Sequence, residues 1–297
     1  MIKADLHIHS KFSDDGELGT KEIVENCIKQ NLNVFSITDH NSTKGINETA
    51  LFTKDKGIKL IPGIEIDCIY KGINLHVLGY NIDYSSKNFA DLEKDVSSKM
   101  TASFDEMIAN IRKIGFAVDA ESVLKKAGNH LPTGELIAEV MLSNERFYSP
   151  LLKPYMTGGA RSDMPYINFY LDYFAQGKPA FVPIEFMNYT DAVRLIKDNG
   201  GVPVVAHPGL NLKGKEHIAE ELLDAGAEGL EVFNNYHDLE QIQYFAKAVL
   251  KRNALMTCGS DFHGKTKPLI RLGEFKFDNR YEDYLRNSLQ TLKQREI

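Results

Sequence analysis

His7 and His9 are the first histidines of the sequence, and imidazoles are common metal ligands. His7 lies in the apolar run IKADLHI, which predicts a strand, and His9 follows that run directly, so both side chains project from the same face. Two imidazoles on one face can bind one ion. The pair alone is weak evidence, because a histidine at a strand end usually makes ordinary hydrogen bonds.

Other histidines and acids lie in or after further apolar runs. They are Asp39 and His40 after the second run, Glu65 in the third, His76 in the fourth, His207 at the end of VPVVAH, and Asp261 and His263 after LMTCGS. In parallel α/β barrels the active site lies where the C-terminal ends of the strands converge. We therefore expect one catalytic site of imidazoles and carboxylates, which suits Zn, Mn or Fe.

The elements that must position these residues are strands alternating with helices. Short apolar runs bounded by Gly, Pro, Asn or Asp predict an α/β fold with a largely parallel sheet. TKEIVENCIKQN predicts a helix capped by Thr20, with Ile23, Cys27 and Ile28 on one face. YTDAVRLIKDNGG predicts another, which begins near Thr190.

The middle of the chain has a different pattern. From about Asp83 to Val182 the strand-like runs stop, and amphipathic helical stretches succeed one another. We predict a helical insertion, residues 83–182, within an α/β domain formed by residues 1–82 and 183–297. We expect it to act as a lid over a substrate pocket, and the alternative is a packing layer over one end of the sheet.

Composition excludes several classes of protein. No apolar stretch approaches the roughly 20 residues of a bilayer span, and the N-terminus shows no signal peptide, so we expect a cytoplasmic protein without a membrane partner. A net charge of -6 argues against a broad basic surface for duplex nucleic acid, but it leaves room for a small phosphorylated substrate. The three cysteines lack C-x-x-C spacing and are expected to be reduced and structural.

Five segments in order resemble the successive motifs of the PHP family, named for polymerase and histidinol phosphatase domains. They are DLHIHSKFSDDG, SITDHNS, GIEI with LHVLGY after it, VVAHPG, and GSDFHG. The resemblance covers both flanks of the chain. It implies a distorted (β/α)7 barrel, here with a helical insertion, and a metal-dependent phosphoesterase activity, often at a trinuclear site.

The resemblance also implies a ligand set for two or three divalent ions. The first ion would be held by His7, His9, Glu65 and Asp261, the second by Glu65, His76 and His207, and the third by Asp14, His40 and His263. Asp14 rather than Asp15 is expected because Ser13 and Asp14 match a Ser-Asp pair of the family pattern. Every position is filled by a competent ligand.

GKPAFVP, DAV, GGVPVVAHPG, GLEV and GSDFHG further resemble bacterial PHP phosphatases that act on nucleotides, including AMP and nucleoside 3',5'-bisphosphates. Those phosphatases carry a helical insertion at the same place, usually with an Arg close before a His. Here the corresponding stretch, LPTGELIAEV, has neither residue. Arg161 is the candidate for the missing guanidinium, and an exposed Arg without ligand contact is the alternative.

The expected mechanism is in-line attack on phosphorus by hydroxide formed on the metal ions. We predict that Asp39 and Asp5 orient ligating imidazoles, with a turn contact as the alternative for Asp5. His237 is predicted to protonate the leaving oxygen or to contact phosphate. Further substrate contacts are predicted for Asn234, Asn235 and Lys267, with turn chemistry the alternative for the asparagines.

Three hypotheses about the activity stay open. The first is a phosphatase acting on a small phosphate monoester, a nucleotide such as AMP or a nucleoside 3',5'-bisphosphate. The others are a histidinol-phosphate phosphatase and a 5'-3' exonuclease on short RNA. A non-enzymatic PHP module is less favoured because the ligand set is complete.

Overall fold

The computed structural model describes residues 2–295, in which strands flank a central helical stretch. The strands of this part of the chain are β1 (Ala4–Ile8), β2 (Val34–Ile37), β3 (Lys59–Leu60), β4 (Gly63–Tyr70), β5 (Ile73–Tyr80), β6 (Met187–Asn188), β7 (Val202–Val205), β8 (Gly229–Phe233) and β9 (Leu255–Cys258). The helices are α1 (Thr20–Lys29), α2 (Lys44–Thr53), α3 (Lys87–Ile114), α4 (Ala120–Ala127), α5 (Gly134–Leu142), α6 (Pro165–Tyr173), α7 (Tyr189–Asp198), α8 (Pro208–Asn211), α9 (Ile218–Asp224), α10 (Leu239–Arg252) and α11 (Glu282–Gln294). The fold is mixed α/β.

The strands form two sheets. One has the order β1-β2-β3, and the other has the order β6-β4-β5-β7-β8-β9. Two isolated parallel bridges connect the sheets, one between Ile8 and Phe262 and the other between His40 and Glu65. Both bridges lie at or beside candidate metal ligands, so the residues that join the sheets also build the site.

The sheet is less parallel than the apolar runs suggested. β5 is antiparallel to both of its neighbours, β4 and β7. The cause is the two-residue turn Lys71–Gly72, in which both residues have positive φ angles, of 49° and 77°. That conformation is the type I′ turn of a tight hairpin, so no crossover helix separates β4 from β5.

Both helices predicted in detail are present, with small differences at their ends. α1 begins at Thr20, but the N-cap is Gly19, whose N–H donates to the Glu22 carboxylate at 3.0 Å. Ile23 and Cys27 are buried on its inner face, whereas Ile28 lies outside it and is exposed. α7 begins at Tyr189, one residue before the predicted start.

The central stretch, residues 83–182, contains α3 to α6 and two short 3-10 helices and has no strand. Its own apolar cluster runs from Phe104 to Ala180, while Phe89, Leu92 and Val96 at the start of α3 pack into the main core with the strands. The long helix α3 therefore packs into both the main core and the apolar cluster of the central stretch. The division into residues 1–82 plus 183–297 and residues 83–182 stays a prediction.

No helix within residues 2–295 is long and apolar enough to cross a membrane.

The junction of β9 with β1 has no room for a side chain at Gly259. A Cβ atom there would lie 2.2 Å from the Cβ of His7 and 2.5 Å from a carboxylate oxygen of Glu231. We expect Gly259→Ala to lower the free energy of unfolding by about 3 kcal/mol, because overpacking forces the two strands apart. Urea denaturation measures the change.

The matched control is Gly19→Ala, where the nearest neighbour is the mobile carboxylate tip of Glu22 at 3.3 Å. Gly19→Ala should lower the free energy of unfolding by only about 1 kcal/mol, as other changes at an N-cap do. Equal losses in the two variants would contradict the close approach of β9 to β1.

Candidate metal centre

Six strands and the loops that follow them deliver the candidate ligands to one buried cluster. β1 and the residue after it carry His7 and His9, β4 carries Glu65, and β5 carries His76, while the others come directly after β2, β7 and β9. His207 and Asp261 have positive φ angles, of 24° and 61°. Such angles are strained for residues other than glycine and are typical of functional sites.

Glu65 is the centre of the cluster. It is fully buried, and five imidazoles have a nitrogen within 4.0 Å of its carboxylate. They are His7 at 2.9 Å, His9 and His76 at 3.0 Å, His207 at 3.1 Å and His40 at 3.6 Å. Burial raises the pKa of Glu65, but the neighbouring imidazoles outweigh burial and hold that pKa well below its ordinary value.

The potential ligand atoms fall into three overlapping groups. They are His7, Glu65, His207 and Asp261; His9, Asp15, His40 and His263; and His40, Asp67 and His76. Within each group the ligand atoms lie within 4.8 Å of one another. Nε2 of His7 lies 3.1 Å from Nε2 of His9, close to the ~3.3 Å expected for two ligands about 2.0–2.1 Å from one ion.

The surroundings of His263 fit a bound cation. Its Nδ1 lies 2.9 Å from the carbonyl oxygen of Asp261, which can only accept, so Nδ1 carries the proton. Burial lowers the pKa of His263 to about 4, which keeps the ring neutral. Nε2 is then a lone pair 3.0 Å from a carboxylate oxygen of Asp15, and it makes no hydrogen bond. A cation bound by both atoms would remove the repulsion between the His263 lone pair and the Asp15 carboxylate.

Asp15 belongs to this group, whereas the predicted ligand was its neighbour Asp14. The Ser13 hydroxyl donates to Asp15 at 3.0 Å and turns its carboxylate towards His263. Asp14 accepts a hydrogen bond from the N–H of Leu131, in the central helical stretch. Burial and the charge of Asp15 raise the pKa of Asp14 to about 7.

Asp67 is a candidate ligand that the sequence prediction missed. One of its oxygens lies 3.2 Å from Nδ1 of His40 and 3.2 Å from Nε2 of His76. The signal was present in the sequence, because Asp67 is two residues after Glu65 on β4 and therefore shares its face. Asn41 holds the other oxygen of Asp67 at 2.7 Å.

Glu231, on β8, was also missed, and it orients His7. Its carboxylate accepts from Nδ1 of His7 at 3.1 Å, which leaves the Nε2 lone pair of His7 directed at the cluster. The same carboxylate accepts the backbone N–H of His207 at 2.8 Å. One buried acid thus fixes two candidate ligands.

The acids predicted to orient imidazoles act on the backbone instead. Asp39 accepts from the backbone N–H and the hydroxyl of Ser10, at 2.6 and 2.7 Å. Asp5 accepts from the N–H and the hydroxyl of Ser260 and from the N–H groups of His7 and Gly273. Burial raises the pKa of each acid to about 6. The role of Asp39 as an imidazole partner is corrected, and for Asp5 the turn contact is the one observed.

Lys267 lies inside the site, where it binds a candidate ligand. Its ammonium is 2.6 Å from Oδ2 of Asp261, and the Tyr236 hydroxyl donates to the same oxygen at 2.7 Å. Oδ1 of Asp261 is left to face His7 and His9, at 3.3 Å from each. Burial raises the pKa of Asp261, but the Lys267 charge and the imidazoles hold it well below its usual range. Lys267 thus fixes Asp261 with one oxygen towards the cluster.

His237 is not placed as an acid catalyst. Its Nδ1 donates to the carbonyl of Val232 at 2.8 Å, and its Nε2 accepts the N–H of Gly209 at 3.0 Å. Burial lowers its pKa to about 4. Both nitrogens of the neutral ring are therefore used by the backbone, which corrects the prediction.

The two asparagines after β8 are turn residues, in agreement with the alternative interpretation. The amide of Asn234 donates to the carbonyl of Gly259, and that of Asn235 donates to the carbonyls of Ser260 and Glu274. These bonds tie the end of β8 to the loop after β9. The predicted contacts of Asn234 and Asn235 with substrate have no support in this geometry.

Arg161 is engaged within the central helical stretch. Its guanidinium makes two hydrogen bonds of 3.0 Å to the Asp172 carboxylate, which also accepts from the hydroxyl of Tyr155. A bidentate pair of this kind fixes the guanidinium plane. The predicted role of Arg161 in binding phosphate is therefore corrected to one of joining two segments of that stretch.

Comparisons with known proteins identify the family of this chain. The family model "PHP domain" matches residues 5–155. A 5'-3' exoribonuclease of Haemophilus influenzae is 30% identical over 88% of this chain and 90% of its own length. A 3',5'-nucleoside bisphosphate phosphatase of Chromobacterium violaceum is 28% identical over 89% of this chain and 88% of its own length.

One solved structure, from Bifidobacterium adolescentis and provisionally assigned as a metal-dependent phosphoesterase, superposes with a TM-score of 0.77 at 23% identity, over 99% of this chain and 97% of that one. The mixed α/β fold is thus shared with a solved structure. The chain belongs to the PHP family, which confirms the class predicted from its motifs, a metal-dependent phosphoesterase.

The contact of Lys267 with Asp261 gives a prediction about metal affinity. Lys267→Met leaves one oxygen of Asp261 without its cation, so we expect metal affinity to fall about 10 to 100-fold. Lys267→Arg, which keeps the charge, should restore most of the loss. Isothermal titration of the metal-free variants with Mn²⁺ measures the affinity without reference to activity.

Lys213→Met, at an exposed lysine after α8, serves as the control and should bind metal like the wild type. An unchanged affinity in Lys267→Met would show that Lys267 does not fix Asp261.

Proposed function

We propose that the protein hydrolyses a phosphate ester of a small molecule, a nucleotide, with two or three divalent ions bound at the cluster around Glu65. The observation that carries the proposal is the close approach of two acceptors, the buried Nε2 lone pair of His263 and the partly buried carboxylate of Asp15, 3.0 Å apart with no hydrogen bond from His263 Nε2. Buried acceptors in this arrangement need a cation.

The donor set supports transition metals. It contains imidazole nitrogens and carboxylate oxygens and no thiolate, since the three cysteines lie outside the groups. Such donors suit Zn, Mn or Fe. We propose that Asp15 and Asp67 complete the set in addition to His7, His9, His40, Glu65, His76, His207, Asp261 and His263, in place of the set with Asp14.

Bound divalent ions would supply Lewis acidity and an activated water, so no protein nucleophile is needed. The protein's own residues would hold this centre rigid. Glu231 fixes the ring of His7, and Lys267 fixes the oxygens of Asp261. Apolar strands and the central helices exclude bulk water from the cluster, where His7, His9 and Glu65 are fully buried. Substrate phosphate would enter from the side of His76, the most exposed of the imidazoles paired with Glu65.

The finer architecture that we propose is the distorted barrel. The bridge of Ile8 with Phe262 joins the edge strand β1 to the end of β9, and the bridge of His40 with Glu65 joins the end of the middle strand β2 to β4. A ring closed in this way would gather the strand ends on one face.

From the sequence alone, we further propose a cytoplasmic location and no duplex nucleic-acid or membrane partner.

A nucleotide substrate is supported by two relatives whose names describe action on nucleoside bisphosphates and on RNA. The exoribonuclease of Haemophilus influenzae makes 5'-3' cleavage of short RNA the second candidate. Histidinol phosphate stays the third. All three share hydrolysis at phosphorus and differ in the group that leaves.

The decisive experiment is release of phosphate by protein loaded with Mn²⁺, Zn²⁺ or Fe²⁺. AMP, adenosine 3',5'-bisphosphate, histidinol phosphate and a short 5'-phosphorylated RNA are the substrates. We expect turnover of a nucleotide, abolished by a chelator, and a loss of at least about 100-fold in His9→Ala because a ligand is removed.

His217→Ala, at an exposed histidine before α9, is the matched control and should keep full activity. Absence of turnover on all four substrates at full metal content would refute the proposed function. Release of mononucleotides from the RNA, with no phosphate from AMP, would favour the exonuclease instead.

A further inference from the structure

Ser13 lies in the loop after β1, and its hydroxyl is buried among the candidate ligands, since the residue is only 1% exposed. The hydroxyl oxygen is 3.0 Å from Oδ1 of Asp15, 3.1 Å from Nδ1 of His9 and 3.2 Å from the backbone nitrogen of His40. These three neighbours and His263 form one of the ligand groups, the His263 group. One hydroxyl thus contacts three of the four residues that would hold a single ion.

The Ser13 hydroxyl has one proton and two lone pairs, and the three contacts use all of them. A backbone N–H can only donate, so the oxygen accepts from His40. An ionised carboxylate can only accept, so the proton goes to Asp15. The remaining lone pair accepts from Nδ1 of His9, which therefore carries a proton. Nε2 of the His9 ring is then a lone pair, and it faces the Glu65 carboxylate at 3.0 Å.

The turn that carries Ser13 is held by contacts outside the His263 group. The backbone N–H of Ser13 donates to the carbonyl of Ser10 at 2.9 Å. Asp39 in turn accepts from the N–H and the hydroxyl of Ser10. Gly16 packs so closely on this turn that a Cβ atom there would lie 2.0 Å from the Ser10 carbonyl oxygen. The protein's own contacts therefore hold the Ser13 hydroxyl against the three ligands.

The second buried ligand group, the Glu65 group, has different supports. It consists of His7, Glu65, His207 and Asp261. Glu231 binds the ring of His7 and the backbone N–H of His207. Lys267 binds Asp261. Within residues 2–295, every hydrogen bond of the Ser13 side chain goes to the His263 group, so the two groups are oriented by different residues.

We infer that Ser13 is a positioning residue for one particular ion, the one bound by the His263 group. Its hydroxyl sets the tautomer of His9, the direction of the Asp15 carboxylate and the place of the His40 backbone. The inference rests on the proposed function, because it concerns the ions proposed there, and it assigns a residue outside the ligand set to one of them. Loss of the hydroxyl should weaken the binding of that ion and spare the ion of the Glu65 group.

Ser13→Ala tests the inference through metal affinity, without turnover. Metal-free protein is titrated with Mn²⁺ in a calorimeter, which separates bound ions by their affinity. We expect the affinity of one ion to fall about 10 to 100-fold, because three of its ligands lose a hydrogen-bonding partner, while another ion keeps its wild-type affinity. Ser13→Thr keeps a hydroxyl and should restore most of the lost affinity.

Ser288→Ala is the matched control. Ser288 is also buried, on α11, and its hydroxyl accepts the backbone N–H of Met256 at 3.1 Å. The variant loses the same kind of hydrogen bond outside the ligand groups, so it should bind every ion like the wild type. Thermal unfolding checks that the variants are folded. If Ser13→Ala is unstable, nitrogen NMR of the wild type loaded with Zn²⁺ tests the tautomer of His9, which should carry its proton on Nδ1.

The same loss of affinity in folded Ser13→Ala and Ser288→Ala would overturn the inference. So would a loss spread equally over all bound ions, a loss in folded Ser13→Thr as large as in Ser13→Ala, or a His9 ring protonated only at Nε2. Phosphate release from the four phosphate esters is measured separately. If none of them is hydrolysed, the proposed function fails, while the metal titration still decides the inference.

Discussion

The buried carboxylate of Glu65 is the constraint on which the rest of the structure depends. An isolated ionised carboxylate inside a protein is very costly unless it is paired. Here five imidazoles surround it, delivered from four separate parts of the fold: β1 and its end, the end of β2, β5 and the end of β7. Bringing them together requires both sheets to meet, which they do at the bridge of His40 with Glu65.

The surrounding acids then divide into two kinds by what they contact. Asp5 and Asp39 accept backbone and serine donors and hold the loops, whereas Glu231 holds the imidazole of His7. Asp261 is divided between a structural contact and the cluster. Lys267 binds one of its oxygens, and the other oxygen faces His7 in the cluster. The backbone of the site is therefore held by the protein's own carboxylates, in a region where His207 and Asp261 adopt strained φ angles.

Strand periodicity and the rules of α/β folds were enough to predict where most of the candidate ligands lie. Residues at strand ends converge in such a fold, so His7, His9, Glu65, His207 and Asp261 could be placed together from their positions alone. Asp15 could not be chosen over Asp14, because both lie in a loop whose direction depends on the Ser13 hydroxyl. The hairpin at Lys71–Gly72 was missed because an apolar run alone does not give strand direction.

Side-chain roles were predicted less well than positions. His237 was misread because a buried neutral histidine bound by backbone groups looks in sequence like a catalytic one. Arg161 was misread because its partner, Asp172, lies eleven residues away and is recognised only when α6 is folded.

The metal content of the purified protein tests the central claim most directly. Wild-type protein and Glu65→Gln are incubated with Mn²⁺ or Zn²⁺, dialysed, and measured by plasma mass spectrometry, with circular dichroism to confirm the fold. The account predicts two or three ions per chain in the wild type and at most one in Glu65→Gln, because the shared carboxylate charge is lost. Equal metal content in the two folded proteins would contradict the account.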